Sequence, residues 1–550
     1  MRPLKPGIVV DPKTKFNGKR FTTFLILCSW IFSILACSLF NLSPGVINPT
    51  ESIGINTQIP DPIESATLEP DPEVVSSQTD NTATAEALNP TEQATAGPET
   101  IIPTVTTLNG TKTPPVLYYS QAGDTLDVVA IRFGVQSAEI TSPESIPPVG
   151  LLQPGQLFII PSRLGETTPA DEMMPDSEIV YSPSAVDFDV NKYVKDAGGY
   201  LSTFKQDLGT GSVLTGAQVV QRVAIENSVN PRLLIALLEY QSHWVFGQPA
   251  NLAETDYPMG YKDFASKGLY AQLSWAVNQL SDGYYGWREG HLIELTFTDK
   301  GHLRLDPRLN AGTVSILYLF SKLDDQPNWG GMVYGTESFP SFHKHLFGDP
   351  WMRAQTVEPL YPQNLVQPKL ALPFEAGHTW SLTGGPHYAW DKGGAWAAID
   401  FAPMSSQSGC VTSNEWVTAS AAGLIVRSQD GVVVEDLDGD GYEQTGWDLM
   451  YLHVATKDRI PAGTWVSTND RIGHPSCEGG EATGTHVHFA RKYNGEWIAA
   501  GGPLPMTLSG WEAHAGNVVY IGSLTKGNQT ANACPCGSSD TLVNRPKDDN

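Results

Sequence analysis

Five residues in the last third of the chain are of the types that build a metal site. The stretch GGPHYAWDKGGAWAAID places His387 before Asp400 at a separation of 13 positions (400 − 387), DLMYLH ends at His453, and THVHFA contains His486 and His488. A catalytic zinc ion binds three protein ligands chosen from His, Asp, Glu and Cys, and a fourth position stays open. One carboxylate and two imidazoles could supply such a set. The two other histidines are of the right type to move a proton and to stabilise an oxyanion.

The segments that carry these residues are typical of strands in an antiparallel β domain, predicted over residues 368–525 with a tail at 526–550. AGLIVRSQDGVVVEDL, WDLMYLHVA and GTHVHFARKYNGEWI run apolar or alternate, with glycine-rich turns between them. Successive side chains of a strand point to opposite faces, so His486 and His488 should share one face and Val487 the other. The same rule predicts one common face for Leu449, Tyr451 and His453.

The order of these motifs, H(x12)D, then YLH, then HVH, resembles the lysostaphin-like family of zinc peptidases, which cut bacterial cell-wall peptides. The wide separation of His387 and Asp400 is similar to that in its beta-lytic (staphylolysin) branch. The resemblance implies that His387, Asp400 and His488 bind zinc and that His453 and His486 are catalytic. It also implies a zinc endopeptidase that hydrolyses peptide bonds of peptidoglycan. The alternative is a noncatalytic peptidoglycan-binding or cell-division regulatory protein with a peptidase-like fold.

Length and charge bound the function further. The chain has 550 residues, 41% of them hydrophobic, and 34 basic against 59 acidic side chains. That length is ample for several packed cores, and the acidic balance argues against nucleic acid as a partner. We therefore predict a multidomain fold with an N-terminal membrane segment, a small βααβ module, an α-helical region and a C-terminal, mainly antiparallel β peptidase domain.

The N-terminus predicts export. Residues 1–20 are basic, and residues 21–42 form an uncharged apolar segment of about 20 residues, long enough to cross a bilayer. Basic residues before such a segment predict a cytoplasmic N-terminus, so the protein is expected in the cell membrane as a single-pass protein with its C-terminal region extracytoplasmic. A cleaved signal peptide and a lipid anchor at Cys37 are the alternatives, and both also imply export.

A spacer follows the apolar segment. Residues 43–114 are rich in Thr, Pro, Ser, Asn and Glu and contain no aromatic residue. Such a composition cannot bury enough surface to offset the entropy of ordering, which predicts a disordered linker that tethers the rest of the chain.

Residues 115–163 have the pattern of a small glycan-binding module. A short strand meets Gly123 and Asp124, an apolar-periodic helix follows, and Gly155 turns the chain into a final strand. This order, with AGDTL and LLQPGQLFIIP, resembles a LysM module. The resemblance implies binding of N-acetylglucosamine-containing glycan such as peptidoglycan, and the alternative is that the module only packs on its neighbours.

Residues 190–351 predict a helical region. GAQVVQRVAIENSVNPRLLIALLEYQSHWV holds two apolar-periodic segments, with Pro231 placed as the first residue of the second helix. This passage resembles lytic transglycosylases with the lysozyme-like fold, in which a glutamate would stand where this chain has Gln241. An amide cannot donate the proton that glycosidic cleavage requires, so we predict a noncatalytic, glycan-binding helical region. Ordinary core packing is the alternative.

A stretch with three aspartates and a set of four cysteines also lie in the C-terminal part of the chain. Asp436, Asp438 and Asp440 match the opening of a calcium loop, but Trp447 stands at its last position, and a hairpin turn explains the stretch more simply. Four cysteines lie downstream, and Cys410 with Cys477 is the expected disulfide. Cys534 and Cys536 are expected not to pair with each other, because they are so close in sequence. A second metal or redox site, or a loose tail, are the interpretations left for them.

Overall fold

The computed structural model describes residues 113–209, 212–404 and 409–549. The basic segment 1–20, the apolar segment 21–42 and nearly all of the linker 43–114 lie outside the described residues. Within the described ranges, every helix is too short or too polar to serve as a membrane span.

The N-terminal module is a two-stranded antiparallel sheet with one helix between its strands. Strand β1 (Val116–Tyr119) pairs with β2 (Leu157–Ile160), and helix α1 (Leu126–Phe133) lies between them in sequence. The Thr125 hydroxyl accepts from the backbone of Val128 to begin the helix. A small core closes the module, formed by Tyr118, Val129, Phe133, Phe158 and Ile160.

The βααβ prediction was wrong for the second helix of this module. Only a single 3₁₀ turn, Ser137–Glu139, stands there, and irregular backbone continues to β2. Pro143, Pro147 and Pro148 lack the backbone N–H that a helix needs, so the segment SPESIPP cannot form the second helix.

The module packs on the helical region through a buried arginine. Arg132 pairs with Asp124 at 2.8 Å and donates to the backbone carbonyl of Trp287, also at 2.8 Å. Its guanidinium carbon lies 4.4 Å from the centre of the Trp287 ring. The module is therefore held against its neighbour by a guanidinium group that bonds to both of them.

The helices of the helical region run from Val190 to Ala354. Pro231 occupies the first turn of its helix, behind an Asn230 side chain that accepts from the backbone of Arg232. Two short hairpins interrupt the region, β3 (Lys205–Asp207) with β4 (Val213–Thr215) and β5 (Glu294–Thr296) with β6 (His302–Arg304). The helices are α2 (Val190–Ala197), α3 (Tyr200–Thr203), α4 (Gly216–Asn227), α5 (Pro231–Ser242), α6 (Leu252–Asp256), α7 (Leu269–Arg288), α8 (Ala311–Ser321), α9 (Gln326–Tyr334), α10 (Phe339–Phe347) and α11 (Pro350–Ala354).

Glu239, the carboxyl nearest to Gln241 in sequence, has a structural role. Its Oε2 accepts from the backbone N–H groups of Val245 at 2.8 Å and Phe246 at 2.9 Å. The carboxylate thereby satisfies two backbone donors in the loop after α5. Glu239 therefore caps the loop backbone and does not replace the catalytic acid that is missing at Gln241.

The C-terminal third of the chain is called the β region below and is built on a nine-stranded antiparallel sheet. Its strands are β7 (Thr379–His387), β8 (Ala398–Pro403), β10 (Gly423–Gln429), β11 (Val432–Asp436), β12 (Trp447–Leu452), β13 (Trp465–Val466), β15 (Val487–Tyr493), β16 (Glu496–Trp497) and β21 (Leu542–Asn544). Their order in the sheet is β13-β10-β11-β12-β15-β8-β7-β21, and β16 pairs with β15. The smaller sheets contain β9 (Val417–Thr418) with β14 (Arg471–Gly473), and β17 (Thr507–Leu508), β18 (Trp511–Ala515), β19 (Gly522–Lys526) and β20 (Gln529–Asn532) in that order.

The predicted tail, 526–550, is part of this β region. Strand β21 pairs with β7, Val543 is fully buried, and the buried Arg545 donates to the carbonyl of Leu372 at 2.8 Å. The structure also joins Cys534 to Cys536, whose Cα atoms lie 5.1 Å apart, so the expectation that they cannot pair was wrong. That separation falls within the usual range for bridged cysteines.

The large sheet buries both of its faces. One face packs on the smaller sheets, and the core between them includes Leu382, Phe401, Val433, Tyr451 and Phe489. The other face shares a continuous core with the helical region and contributes Val432, Val434, Met450, Leu452, Ala490 and Trp497. Polar contacts cross the same boundary, where the hydroxyl of Tyr284 donates to Glu496 at 2.9 Å. The helices are thus integral to the fold that carries the metal-site residues.

Candidate metal centre

Three adjacent strands bring the predicted ligands together. His387 ends β7, Asp400 lies in β8 and His488 lies in β15, and His488 stands directly opposite Asp400 in the sheet register. Directly opposed residues of an antiparallel pair share a face. We refer to His387, Asp400 and His488 as the metal-ligand group.

Backbone carbonyls orient both imidazoles of the group. His387 Nδ1 lies 2.8 Å from the carbonyl of Gly385, and His488 Nε2 lies 3.0 Å from the carbonyl of Ala389. A carbonyl can only accept, so each of these nitrogens carries the proton, and the opposite ring nitrogens carry lone pairs. Those two, His387 Nε2 and His488 Nδ1, face each other at 3.0 Å.

The third donor completes a triangle of acceptor atoms. Asp400 Oδ1 lies 3.3 Å from His387 Nε2 and 3.3 Å from His488 Nδ1, and it has no hydrogen-bond partner among the described residues. Ligands about 2.0–2.1 Å from a tetrahedral zinc ion stand about 3.3 Å apart. The group therefore fits zinc in both donor type and spacing.

All three residues of the metal-ligand group are buried. His387 is 2% exposed, and Asp400 and His488 are each 7% exposed. Burial by itself would raise the pKa of Asp400, but the neighbouring imidazoles of His387, His488 and His486 together outweigh burial and hold that pKa well below its usual range. Asp400 is thus ionised, as a metal ligand must be.

The two predicted catalytic histidines lie beside the group and beside each other. The ring centres of His453 and His486 are 4.4 Å apart, and His486 Nε2 is 3.8 Å from Asp400 Oδ1. Each ring has Nδ1 against a backbone carbonyl, that of Glu478 at 3.1 Å for His453 and that of Gly484 at 2.7 Å for His486. Burial, reinforced by the neighbouring imidazoles, lowers the pKa of His453 to about 3, so its ring is neutral.

The common face predicted for Leu449, Tyr451 and His453 was wrong. Strand β12 ends at Leu452, and His453 follows with a left-handed φ of 68°. This conformation breaks the alternation, so Leu449 and Tyr451 stay in the core between the sheets while His453 lines the cleft together with Leu452. The prediction for β15 is confirmed, since Val487 is in the core and His488 lies on the opposite face.

Tyr520 belongs to the site and carries no sequence signal for it. Its ring stacks on His387 with the ring centres 4.2 Å apart, from the turn between β18 and β19. Neither spacing nor a motif in AGNVVYIGS connects it to the histidines. Only tertiary packing reveals the contact.

A cleft of about 1720 Å³ opens over the metal-ligand group. One wall comes from the helical region, with Glu226, Tyr270 and Trp275 among its residues, and the floor includes His387 and His488. The walls mix aromatic, charged and amide side chains. An extended chain has room to lie between them.

The predicted disulfide between Cys410 and Cys477 is confirmed, with Cα atoms 5.5 Å apart. It ties the segment after β8 to the turn that precedes His486. Two further sets of potential ligand atoms lie within 4.8 Å of one another, Glu375 with His378 and Glu415, and Asp436 with Asp438 and Asp440. The three aspartates sit in the hairpin between β11 and β12 that the sequence predicts, and the structure does not test the alternative of a calcium loop.

The helical part of the chain matches a known domain family. Residues 172–361 match the family model described as LasA, N-terminal domain. The match contains the whole helical region predicted at 190–351. This match tests neither the transglycosylase resemblance of the same region nor the LysM resemblance of residues 115–163, and both stay predictions.

Curated relatives are similar to part of this chain. Protease LasA of Pseudomonas aeruginosa (strain UCBPP-PA14) is 28% identical over 297 residues, which is 50% of this chain and 65% of that protein. Beta-lytic metalloendopeptidase of Lysobacter enzymogenes is 28% identical over 153 residues, 28% of this chain and 82% of the relative. The enzyme of the same description from Achromobacter lyticus is 32% identical over 165 residues, 28% of this chain and 39% of the relative. The chain thus spans just under two thirds of the length of Protease LasA. Among solved structures, the deep-sea M23 metalloprotease pseudoalterin is 23% identical, covers 30% of this chain and 96% of its own, and has a TM-score of 0.26.

Proposed function

We propose that the protein is a zinc metalloendopeptidase that hydrolyses peptide bonds of bacterial peptidoglycan. The observation that carries the proposal is the triangle of lone pairs formed by His387 Nε2, His488 Nδ1 and Asp400 Oδ1. His453 and His486 stand beside it, and His453 lines the open cleft. The relatives named as metalloendopeptidases support the same reaction class.

The chain's own residues provide proton transfer next to the ion. A zinc ion held by the metal-ligand group would polarise a peptide carbonyl and lower the pKa of water. The Nδ1 of His453 is occupied by the Glu478 carbonyl, which leaves Nε2 as the nitrogen that can exchange a proton. The ring of His486 is oriented in the same way by Gly484, and with a proton also on Nε2 it would donate a hydrogen bond to developing negative charge on the substrate.

Peptidoglycan is the proposed partner for two parts of the chain. The peptide would lie in the cleft of the metal centre, and the N-terminal module at 115–163 would bind glycan, as its LysM resemblance implies. The apolar segment at 21–42 would place both outside the cytoplasm, as a membrane anchor, a signal peptide or a lipoprotein leader. Each of these assignments extends the proposal from the site to the whole protein.

Digestion of purified peptidoglycan by the full chain tests the proposal. We expect release of free amines and soluble fragments, loss of that release in a zinc chelator, and its recovery when zinc is returned. The His488→Ala and Asp400→Ala variants should be inactive and lack stoichiometric zinc. His302→Ala, an exposed histidine outside the site, is the matched control and should behave as wild type.

The same experiment separates the noncatalytic alternative. A wild-type protein that pulls down peptidoglycan but releases no amines, with zinc present, would show a binding or regulatory protein. A wild-type protein without bound zinc at neutral pH would overturn the proposal altogether.

A further inference from the structure

We infer that helix α7 of the helical region positions the zinc ligand His488 by holding the loop that separates the other two ligands. This loop, residues 388–397, is called the insert below. The inference rests on the proposed function, because it concerns the same metal centre. It assigns Asn278 and Asp282 as positioning residues for a site from which they are distant in sequence.

The insert contacts or continues into every member of the metal-ligand group. It begins directly after His387 and leads into β8, which carries Asp400. Its residue Ala389 accepts a hydrogen bond from His488 Nε2 at 3.0 Å. That bond decides which nitrogen of His488 carries the proton and turns Nδ1 toward the ion, so the place of the Ala389 carbonyl determines the geometry of the third ligand.

Helix α7 binds the insert through two side chains one turn apart. The Asn278 amide donates to Asp391 Oδ2 at 2.9 Å, and Asp282 Oδ1 accepts from the backbone N–H of Gly394 at 3.0 Å. Residues four apart lie on the same face of a helix, so both side chains reach the loop together. One of the two bonds goes to the loop backbone and thus fixes the path of the chain itself.

The insert also lies against α7 closely enough to require glycine. Gly394 has a φ of 88°, and a Cβ there would come within 2.9 Å of the Ser281 Cβ atom. At the neighbouring Gly393 a Cβ would be 3.1 Å from the backbone carbonyl of Asn278. A larger residue at position 394 would therefore push the loop away from the helix.

Burial on the inner side of the insert transmits this contact to the ligand. Ala389 and Ala395 are both 2% exposed, belong to the core shared with the helical region, and are joined by a backbone hydrogen bond of 3.2 Å. The backbone bond thus links Ala389 to the residue directly after the helix contact at Gly394, across a loop whose tip, Asp391 and Lys392, is exposed. A shift at one end has to move the other.

Zinc affinity of the full chain tests the inference without relying on activity. We expect the double variant Asn278→Ala/Asp282→Ala to bind zinc about 10- to 100-fold more weakly than wild type in competition with a chromophoric chelator, the range seen when outer-shell partners are removed. The visible spectrum of the cobalt-substituted protein should change as well, because the orientation of one ligand changes.

Two more variants distinguish positioning from general damage. Asp282→Asn keeps an oxygen that accepts from Gly394, so this single variant should retain most of the wild-type zinc affinity. Gly394→Ala attacks the same contact from the loop side and should reproduce the loss. Gln279→Ala, next to Asn278 on the same helix, is the matched control, and unfolding temperatures of all variants should stay within a few degrees of wild type.

The outcomes separate the inference from the function on which it rests. The inference would be overturned if the wild-type protein binds zinc and both the double variant and Gly394→Ala bind it within about twofold of the wild-type affinity. That result would leave the proposed function intact. Failure of Asp282→Asn to retain affinity would also count against the inference. Absence of zinc in the wild-type protein would instead remove the proposed function.

Discussion

At the scale of single residues, the metal centre is prepared by backbone carbonyls. Gly385 and Ala389 each hold one ligand imidazole, and Glu478 and Gly484 hold the two histidines beside the group. A carbonyl can only accept, so each ring carries a proton on the nitrogen that faces its carbonyl. This places the remaining nitrogens toward the cleft in a fixed pattern.

Replacement of His453 should separate metal binding from catalysis. His453 does not belong to the metal-ligand group, so His453→Ala should retain one equivalent of zinc by mass spectrometry. Its rate of amine release from peptidoglycan should fall about 10²- to 10⁴-fold, the usual contribution of a positioned acid or base. Loss of zinc together with activity would show that His453 is a ligand instead.

At the scale of elements, a buried charge cluster stabilises the hairpin between β11 and β12 next to the site. Glu443 accepts from Arg427 at 2.9 Å and from Lys492 at 2.9 Å, and it is 5% exposed. Burial would raise the pKa of Glu443, but the two cations outweigh it and lower that pKa to about 2. The ionised carboxylate is thus required to pair two buried cations.

The Glu443→Gln variant should lose about 3 kcal/mol of unfolding free energy at pH 7, since it leaves Arg427 and Lys492 without their counter-charge. The folded pKa lies below the ordinary value of 4.5, so this stabilisation is complete above about pH 4.5 and disappears as the pH falls toward 2. Denaturant unfolding of both proteins across this range measures the difference. An equal difference at pH 2 and pH 7 would contradict the assignment.

The disulfide between Cys410 and Cys477 should also contribute to stability. It closes a loop with a sequence separation of 67 residues, and restriction of the unfolded chain by such a loop is worth about 4 kcal/mol. We expect Cys410→Ser/Cys477→Ser to unfold at correspondingly lower denaturant. Reduction should lower the stability of wild type by at least this amount, whereas the double variant keeps only the two-residue separation of the Cys534–Cys536 bridge to lose and should respond much less to reductant.

Sequence patterns predicted the metal ligands more completely than the way their elements are arranged. Strand alternation is local, so THVHFA was sufficient to place Val487 and His488 on opposite faces, whereas the choice of His387 and Asp400 depended on the family resemblance. The left-handed φ of His453 could not be predicted, since nothing in the residue type demands it. The continuous apolar run in β11 indicates two apolar faces, but it does not indicate which part of the chain covers Val432 and Val434.

At the scale of the whole molecule, the helical and β regions share one core, so they should unfold together. Removal of residues 1–367 would expose Val432, Val434, Met450 and Leu452 on one face of the sheet. Each buried side chain of this size is worth about 1.5–3 kcal/mol, so the truncated chain should lose at least about 6 kcal/mol or aggregate. Removal of residues 1–112 alone is the control and should leave the denaturation midpoint unchanged. Two separate transitions in the full chain would contradict a shared core.

The cleft with one helical wall has a consequence for what can be digested. A volume of about 1720 Å³ has room for a single extended strand but not for an intact globular domain. An enzyme of the proposed function would therefore select its substrates by width before it selects them by side chain. Folded proteins, including further copies of this chain, would be spared as long as they stay folded.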